Sequence, residues 1–274
     1  MAQLVHTLPG GESVRGVTLL AGEIYLLRQK ARDQVEVYDV ITYNLMRRLT
    51  VPNARIFSDM TSCEHYRCVY IGGSGDDCIH RLDASKGAAF TRWTVNGEPR
   101  GLSVNAEHNV IVTCGRVRKI KEFSSHCDLL RELTLPDDVI DPWHAIQTRS
   151  GQFIVCHGRY PDDLVHRVCM ISADGRHVVH SHGGQPGSRN DQCNWPRHLA
   201  LDDDSECVFV ADRRNVRVKL LTPTLQYVHT VVSRDRLKGG PLRLYLDKPQ
   251  RRLYVALDVF NGGEWRGYVV VFSV

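Results

Sequence analysis

The chain has 274 residues, of which 42% are hydrophobic and 24% are charged, and its formal net charge is +4. This composition is typical of a globular protein with an apolar core. The charge is too small to indicate nucleic-acid binding unless the cations share one surface. No apolar run reaches the ~18 residues that span a bilayer, and the N-terminus does not have the pattern of a signal peptide. We therefore expect a cytoplasmic protein with no membrane partner.

Short strands recur along the chain in a fixed order. In each of the first five units, four apolar or alternating segments are separated by turn residues, as in "RGVTLL", "GEIYLLRQ", "QVEVYDV" and "LMRRLTVP" between Arg15 and Pro52. The units begin at Arg15, Arg55, Arg100, Trp143, Arg197 and Leu242. Their spacing, mostly about 40–45 residues with four strands in each unit, predicts the blades of a β-propeller.

The sixth unit has only three strands, the last of which ends the chain at Val274. A fourth strand is available at the other end, because "QLVHTLP" from Gln3 to Pro9 has the pattern of "LRELTLP" in the third unit. We therefore predict an all-β, six-bladed propeller with four-stranded blades, formed by residues 1–274 as one domain. The N-terminal strand completes the last blade and removes the open sheet edges.

The nine cysteines are scattered through these units and include no C-x-x-C pair. An odd and irregular set is a poor disulfide framework and a poor zinc module. We expect reduced cysteines that pack as small apolar side chains.

The fifth unit carries the most specific sequence pattern. With the segment before it, it reads "GGQPGSRNDQCNWPRHLALDDDSECVFVADRRNVRVKLL", which has a Gly-rich loop, a Pro before the inner strand, a "V-A-D" and an "N-x-R-V". This pattern resembles an NHL repeat. The matching positions are Pro196, Ala211, Asp212, Asn215, Arg217 and Val218.

The resemblance to NHL repeats implies a function as well as a fold. NHL propellers are best known as C-terminal domains of tripartite-motif proteins, where they bind RNA or protein partners. The resemblance therefore implies that this chain is a non-catalytic binding module or scaffold, which is part of a larger tripartite-motif assembly or associated with one. The chain has none of the paired zinc ligands of a RING or B-box domain, so ubiquitin-ligase chemistry is not supported within these residues.

Charged residues sort unequally between the two faces of the predicted propeller. We use "basic face" for the side that holds the loops from strand four to the next strand one and from strand two to strand three. At the start of the inner strands, Arg15, Arg55, Arg100 and Arg197 are expected to surround the mouth of the central channel on this face, with Trp143 in the same place in blade 4. Neighbouring candidates are Arg116, His144, Arg159, Tyr160, His198, Arg213 and Arg214.

Cations that bind phosphates, together with aromatic rings that stack on bases, are what a single-stranded nucleic acid requires. The predicted partner of the basic face is therefore single-stranded RNA or an acidic protein or peptide. Two alternatives stay open at this point: the arginines keep the protein soluble, and Trp143 and Trp195 pack between blades.

Six-bladed propellers also include metal-dependent lactonases and zinc lyases, and this enzyme class is the alternative prediction. Metal sites of this kind need several ligands that converge in the channel, whereas the inner strands offer Asp59 and little else in mid-strand. His144 and His198 occupy equivalent positions in adjacent blades, with His157 nearby, but we expect them to be satisfied by internal hydrogen bonds. We predict no enzyme activity, no metal and no cofactor.

Overall fold

The computed structural model describes residues 2–29, 34–53, 56–86, 89–158 and 164–274, and nearly all of their regular structure is β-strand. The first strand is β1 (Gln3–Gly11). Blade 1 contains β2 (Val14–Leu20), β3 (Glu23–Arg28), β4 (Gln34–Asp39) and β5 (Leu45–Thr50). Blade 2 contains β6 (Phe57–Cys63), β7 (Cys68–Gly73), β8 (Cys78–Asp83) and β9 (Ala89–Thr94). Blade 3 contains β10 (Pro99–Val104), β11 (Val110–Cys114), β12 (Lys119–Phe123) and β13 (Leu129–Thr134).

The second half of the chain repeats this arrangement. Blade 4 contains β14 (Pro142–Gln147), β15 (Phe153–His157), β16 (His166–Ile171) and β17 (Val178–Gly184). Blade 5 contains β18 (Pro196–Asp202), β19 (Cys207–Asp212), β20 (Arg217–Leu221) and β21 (Tyr227–Val232). Blade 6 contains β22 (Gly240–Asp247), β23 (Arg252–Asn261) and β24 (Glu264–Ser273). Short 3-10 turns lie at Ala84–Lys86 and Arg213–Asn215.

Within the described ranges the strands form six four-stranded antiparallel sheets, each ordered from the inner strand outward. In the last sheet the order is β22, β23, β24 and β1, so the N-terminal strand is the outer strand of blade 6. Gln3 pairs with Ser273 and Thr7 pairs with Val270. The structure therefore confirms the six-bladed propeller and the predicted closure of its last blade.

The position of a strand in its blade explains its sequence pattern. The second strand of blade 3, "VIVTC", is buried along its whole length because it lies between two neighbouring blades. The outer strand of the same blade, "LLRELT", is exposed at most positions and has mixed polarity. Strands that are covered on both faces are continuously apolar, whereas half-covered strands alternate.

The apolar core is divided among the interfaces between blades. In the described residues, each of the six interfaces holds its own cluster of buried side chains. Between blades 1 and 2, for example, Tyr25 and Leu27 pack with Phe57 and Ile71. Each blade is thus held by its two neighbours, and closing the ring completes the last interface.

Arg28 joins the two ends of the ring. Its guanidinium donates to the carbonyl oxygens of Pro9 at 3.0 Å, Glu12 at 2.9 Å and Gly267 at 3.2 Å, and pairs with Glu36 at 2.8 Å. This side chain of blade 1 therefore binds the backbone of both β1 and β24. The charge of Arg28 is therefore used inside the fold.

The nine cysteines all lie in the described part and are free, and seven of them are buried. Five of the buried cysteines, Cys63, Cys68, Cys114, Cys156 and Cys169, pack in the apolar clusters between blades. Among the described residues, no helix is long and apolar enough to cross a membrane.

Candidate functional site

The inner strands share an irregularity that decides which side chains line the channel. Near its start, each inner strand shifts register against the second strand of its blade, as between Pro142 and His144 in blade 4. A bulge of this kind redirects the side chains beside it. In each inner strand, one residue follows directly after the last residue that pairs before the register shift. These residues are Arg15, Ser58, Arg100, Trp143, Arg197 and Leu242, and we call them the mouth ring. The residues that follow the mouth ring by one position are Gly16, Asp59, Gly101, His144, His198 and Arg243.

The four polar side chains of the second set, Asp59, His144, His198 and Arg243, form a buried group that we call the polar layer. Asp59 is completely buried, and its Oδ1 lies 2.8 Å from Nε of Arg243. Its Oδ2 accepts hydrogen bonds from the backbone N–H of Leu102 at 2.9 Å and from Nε2 of His198 at 3.3 Å. Burial alone would raise the pKa of Asp59, but the Arg243 and His198 contacts outweigh it and hold the pKa below its usual range.

The two histidines of the polar layer stack on each other with ring centroids 3.7 Å apart. Nε2 of His144 donates to the carbonyl oxygen of Leu102 at 3.0 Å, and Nδ1 of His198 accepts from the backbone N–H of Leu244 at 3.3 Å. Burial lowers the pKa of both rings, and that of His144 falls to about 3. Both histidines are therefore neutral near pH 7.

Asp59, His144 and His198 offer ligand atoms within 4.8 Å of one another, a spacing that a metal ion could bridge. Their existing contacts oppose that use. The carboxylate already faces the guanidinium of Arg243, and each histidine uses Nε2 for an internal hydrogen bond. A divalent cation would have to displace these contacts beside a buried positive charge, so the group fits an internal network better than a metal site.

His157 does not belong to the polar layer, although the sequence suggested that it lies near the other two histidines. Its Nε2 accepts from Nε of Arg167 at 3.2 Å, and the thiol of Cys169 is 3.4 Å away, so its contacts stay within blade 4. His157 lies on β15, the second strand of blade 4, and it is not in the lining of the two channel pockets.

Above the polar layer, on the basic face, the mouth ring encloses a pocket of about 230 Å³ that we call the mouth pocket. Its described lining contains four arginines and one carboxylate, together with small polar and aromatic side chains: Arg15, Gln29, Ile56, Phe57, Ser58, Ser74, Glu98, Arg100, Trp143, Arg197 and Arg243. The lining therefore carries more cations than carboxylates.

The four guanidiniums of the mouth pocket have different partners. Arg243 faces Asp59 below, and Arg100 pairs with Glu98 at 3.3 Å and with Asp141. Arg15 donates to the neutral side chain of Gln29. Burial lowers the pKa of Arg15; the charge of Asp258 opposes this effect, and that of Arg243 adds to it.

Arg197 is the exceptional residue of the mouth pocket. Only 7% of it is exposed, and it makes no hydrogen bond or ion pair with any residue in the described ranges. Its guanidinium instead lies 3.5 Å from the ring centroid of Trp143 and 4.9 Å from that of Trp195. Burial lowers its pKa well below the usual value, and the nearby cations Arg243, Arg213 and Arg15 add to the effect. An anion in the pocket would supply the missing partner.

Several predicted site residues meet at this mouth. Arg15, Arg100, Trp143 and Arg197 line the mouth pocket, while His144 and His198 lie just below it in the polar layer. Arg213 is adjacent, with its guanidinium 4.4 Å from the ring centroid of Trp195. Burial lowers the pKa of Arg213 to about 10.

Other predicted residues do not meet there. Arg55, Arg159 and Tyr160 lie outside the described residues. Because β6 begins at Phe57, the position in blade 2 that is equivalent to Arg15 is held by Ser58. The loops between second and third strands carry two exposed arginines that are not in the pocket lining, Arg116 and Arg214.

Trp143 is less available for base stacking than its sequence position suggested. Its ring already has the guanidinium of Arg197 at 3.5 Å and that of Arg100 at 4.6 Å, and its Nε1 donates to the carbonyl of Gly158 at 3.1 Å. Because cations occupy the neighbourhood of the ring, a base that stacked on Trp143 would have to displace one of them.

An exposed aromatic pair on the basic face was missed in the sequence. Phe260 and Trp265 are cross-strand partners near the tip of the long hairpin formed by β23 and β24. They are 61% and 55% exposed, and their ring centroids are 5.2 Å apart. The signal was "FNGGEW", in which a Gly-containing turn separates two aromatic residues, a pattern typical of a hairpin.

The NHL-like motif of blade 5 has a structural use. Asp212 accepts from Nε of Arg217 at 2.7 Å, from the side chain of Asn215 at 2.8 Å and from the backbone N–H of Asn194 at 2.7 Å. Arg217 also donates to the carbonyl oxygens of Ser188, Arg189 and Gln192. These residues hold the Gly-rich loop against the blade, so the buried charge of Arg217 does not contribute to the basic face.

No protein-family profile matches the chain, and no curated protein sequence does. Solved structures do match. The chain is similar to streptogramin B lyase, with 12% identity and a TM-score of 0.66 over 94% of this chain and 83% of that one. The match to virginiamycin B lyase from Staphylococcus aureus has 10% identity and a TM-score of 0.66 over 98% and 100%.

A protein of unknown function from Bacteroides caccae is also similar, with 11% identity and a TM-score of 0.59 over 82% and 83% of the two chains. At these identities the likeness shows the fold alone. Fold and geometry together define a six-bladed β-propeller with a cationic pocket at one channel mouth. The NHL resemblance of blade 5 stays a prediction.

Proposed function

We propose that this propeller is a non-catalytic binding module whose basic face binds single-stranded RNA. The observation that carries the proposal is Arg197, a buried guanidinium without a polar partner in the described residues, in a pocket with three further arginines. A buried charge is costly unless it is paired. A phosphate oxygen would pair with it, and guanidinium groups bind phosphate through charge-assisted, often bidentate hydrogen bonds.

The exposed aromatic pair favours RNA over an acidic peptide as the partner. Asp258 accepts from the hydroxyl of Ser13 at 2.7 Å, next to the start of the strand that carries Arg15. Phe260 is two residues further along the same strand and has the same orientation, because side chains alternate along a strand. The aromatic rings and the arginines of the mouth pocket therefore share the basic face, and this combination binds the bases and phosphates of a single strand.

We extend the proposal to the family and the cell compartment that the sequence suggests. The chain is then an NHL-type propeller of the kind found in tripartite-motif proteins, acting in the cytoplasm. In blade 5, Asp212, Asn215 and Arg217 match the NHL sequence pattern and are joined by hydrogen bonds, and this match supports the assignment. These residues hold a loop and do not form a binding site.

A lyase is the competing function, suggested by the names of two similar structures. The polar layer would be the place for its chemistry, since it holds the channel's buried carboxylate and two histidines. Their contacts with one another and with Arg243 support a structural use instead. Stoichiometric, tightly held zinc or calcium in the purified protein would favour the enzyme.

The proposal is tested by fluorescence anisotropy with a labelled pool of random single-stranded RNA at several salt concentrations. We expect affinity to fall with salt at a log–log slope of about −0.7 for each phosphate neutralised. Replacing Phe260 and Trp265 together by Ala should weaken binding by about 1–3 kcal/mol for each base that stacks. Both side chains are exposed, so the melting temperature should not change.

The matched control for charge is Arg251→Gln on the opposite face, compared with Arg15→Gln at the mouth. Arg251 is exposed and pairs with Asp202 at 3.2 Å. Equal losses in the two variants would show that RNA is attracted without a specific site. Absence of binding to the RNA pool at low salt, with binding to an acidic peptide instead, would replace RNA by a protein partner.

A further inference from the structure

The mouth pocket is closed at its inner end. A second pocket, of about 260 Å³, opens from the opposite end of the channel and is lined by His144, His198 and Met60 among others. The two pockets have no described lining residue in common. Between them lies the polar layer, in which Asp59 is fully buried and Arg243 is 4% exposed. A strand cannot pass through this channel, so the mouth pocket admits the end of a ligand or a group that projects from it.

The size of the mouth pocket limits what can enter. Its volume of about 230 Å³ is below the roughly 300–1,000 Å³ of pockets that enclose drug-sized ligands. The pocket can hold a compact anionic group, whereas a nucleoside and its phosphate together would extend onto the surface. The exposed aromatic pair Phe260 and Trp265 lies on that surface.

The charges of the pocket favour a group with more than one negative charge. Arg100 has Glu98 and Asp141 as partners, and Arg243 has Asp59. The remaining two guanidiniums, Arg15 and Arg197, have no ion pair with a described carboxylate, although the charge of Asp258 acts on Arg15. A phosphodiester within a strand carries a single negative charge. A terminal phosphate monoester carries about −1.5 to −2 near pH 7 and presents three acceptor oxygens.

We propose that the mouth pocket binds the terminal phosphate monoester of a single-stranded RNA, with Arg197 and Arg15 as its principal donors. This inference rests on the proposed function and adds the part of the RNA that the pocket recognises. The rest of the strand then leaves the pocket across the basic face. Arg197 is held for this contact by Trp143 and Trp195, which restrict its guanidinium without using its N–H donors.

The experiment compares three internally labelled RNA oligomers of one sequence. One carries a 5′-phosphate, one a 3′-phosphate, and one has hydroxyl groups at both ends. We expect one phosphorylated oligomer to bind roughly tenfold or more tightly than the hydroxyl form, because a charge-assisted hydrogen bond to phosphate is gained. The preference should weaken as the pH falls below about 6, where the monoester loses its second charge.

Two variants connect the preference to the pocket. Arg197→Gln and Arg15→Gln should each reduce the ratio between phosphorylated and hydroxyl oligomers, whereas Arg251→Gln on the opposite face should leave it unchanged. Arg15 is only half-buried, so its variant tests the pocket even if Arg197→Gln unfolds the chain. Melting curves identify variants that remain folded.

The possible results separate this inference from the proposed function. Equal binding of the three oligomers would overturn the terminal-phosphate assignment and leave RNA binding intact. Competition by inorganic phosphate as effective as that of the phosphorylated oligomer would also overturn it, because the pocket would then take the free anion. Failure of every oligomer to bind would overturn both.

Discussion

Replacing Asp59 by Asn would remove the negative charge from the polar layer and leave Arg243 buried without a counter-ion. In the wild type, Nε of Arg243 lies 2.8 Å from Oδ1 of Asp59, and both side chains are at least 95% buried. Breaking a buried ion pair by removing one partner costs about 3–5 kcal/mol. For a chain of this size, each kcal/mol lowers the melting temperature by about 2 °C or more, so we expect a fall of about 6–10 °C.

The assay is a double-mutant cycle measured by chemical denaturation at pH 7. Asp59→Leu and Arg243→Met are compared with each other and with the double variant Asp59→Leu/Arg243→Met, and Asp59→Asn is measured beside them. Replacing both partners by apolar side chains should cost less than the sum of the two single changes, because no unpaired charge remains. If Asp59→Asn costs less than about 1 kcal/mol, or if the two changes simply add, the polar layer is not the network described above.

The remaining predictions concern pH and ring closure. Because burial holds the pKa of His144 near 3, far below the roughly 6.5 of the unfolded chain, the unfolded state takes up a proton first. The free energy of unfolding should therefore fall as the pH drops from about 6.5 towards 3, and it should fall less steeply in His144→Gln. Urea titrations at several pH values measure this dependence, and an equal pH dependence in the two proteins would contradict the prediction. Deletion of residues 1–9 should expose the edge of β24, lower the melting temperature and promote aggregation. A truncated chain that melts like the full one and stays monomeric in gel filtration would argue against the closure as a source of stability.

The blade count and the closure were predictable because they depend on the order and spacing of whole strands. "QLVHTLP" could be assigned to blade 6 by its likeness to other outer strands, and β1 pairs with β24 as expected. Small errors in strand boundaries do not change a count of units. The same tolerance does not apply to a site, where a shift of one residue places a different side chain in the channel.

The polar layer was not predictable because it depends on the bulge at the start of each inner strand. Asp59 was recognised as an isolated carboxylate, whereas Arg243 was not among the candidate site residues. Their contact joins blades 2 and 6, which are separated in sequence by more than half of the chain. The position of Asp59 two residues after Phe57, like that of His144 after Pro142, was the available signal. This signal can be interpreted only when the bulged register of the inner strands is known.

The pairing of β1 with β24 sets the order of events when the chain is made on the ribosome. About 250 residues separate the end of β1 at Gly11 from the start of β24 at Glu264. At a synthesis rate of ~5–20 residues per second, β1 emerges roughly 13–50 s before its partner. During that time Leu8, which is fully buried in the finished ring, has no blade to cover it. Sequestration of this first strand by a chaperone would protect the nascent chain until the sixth blade is synthesised.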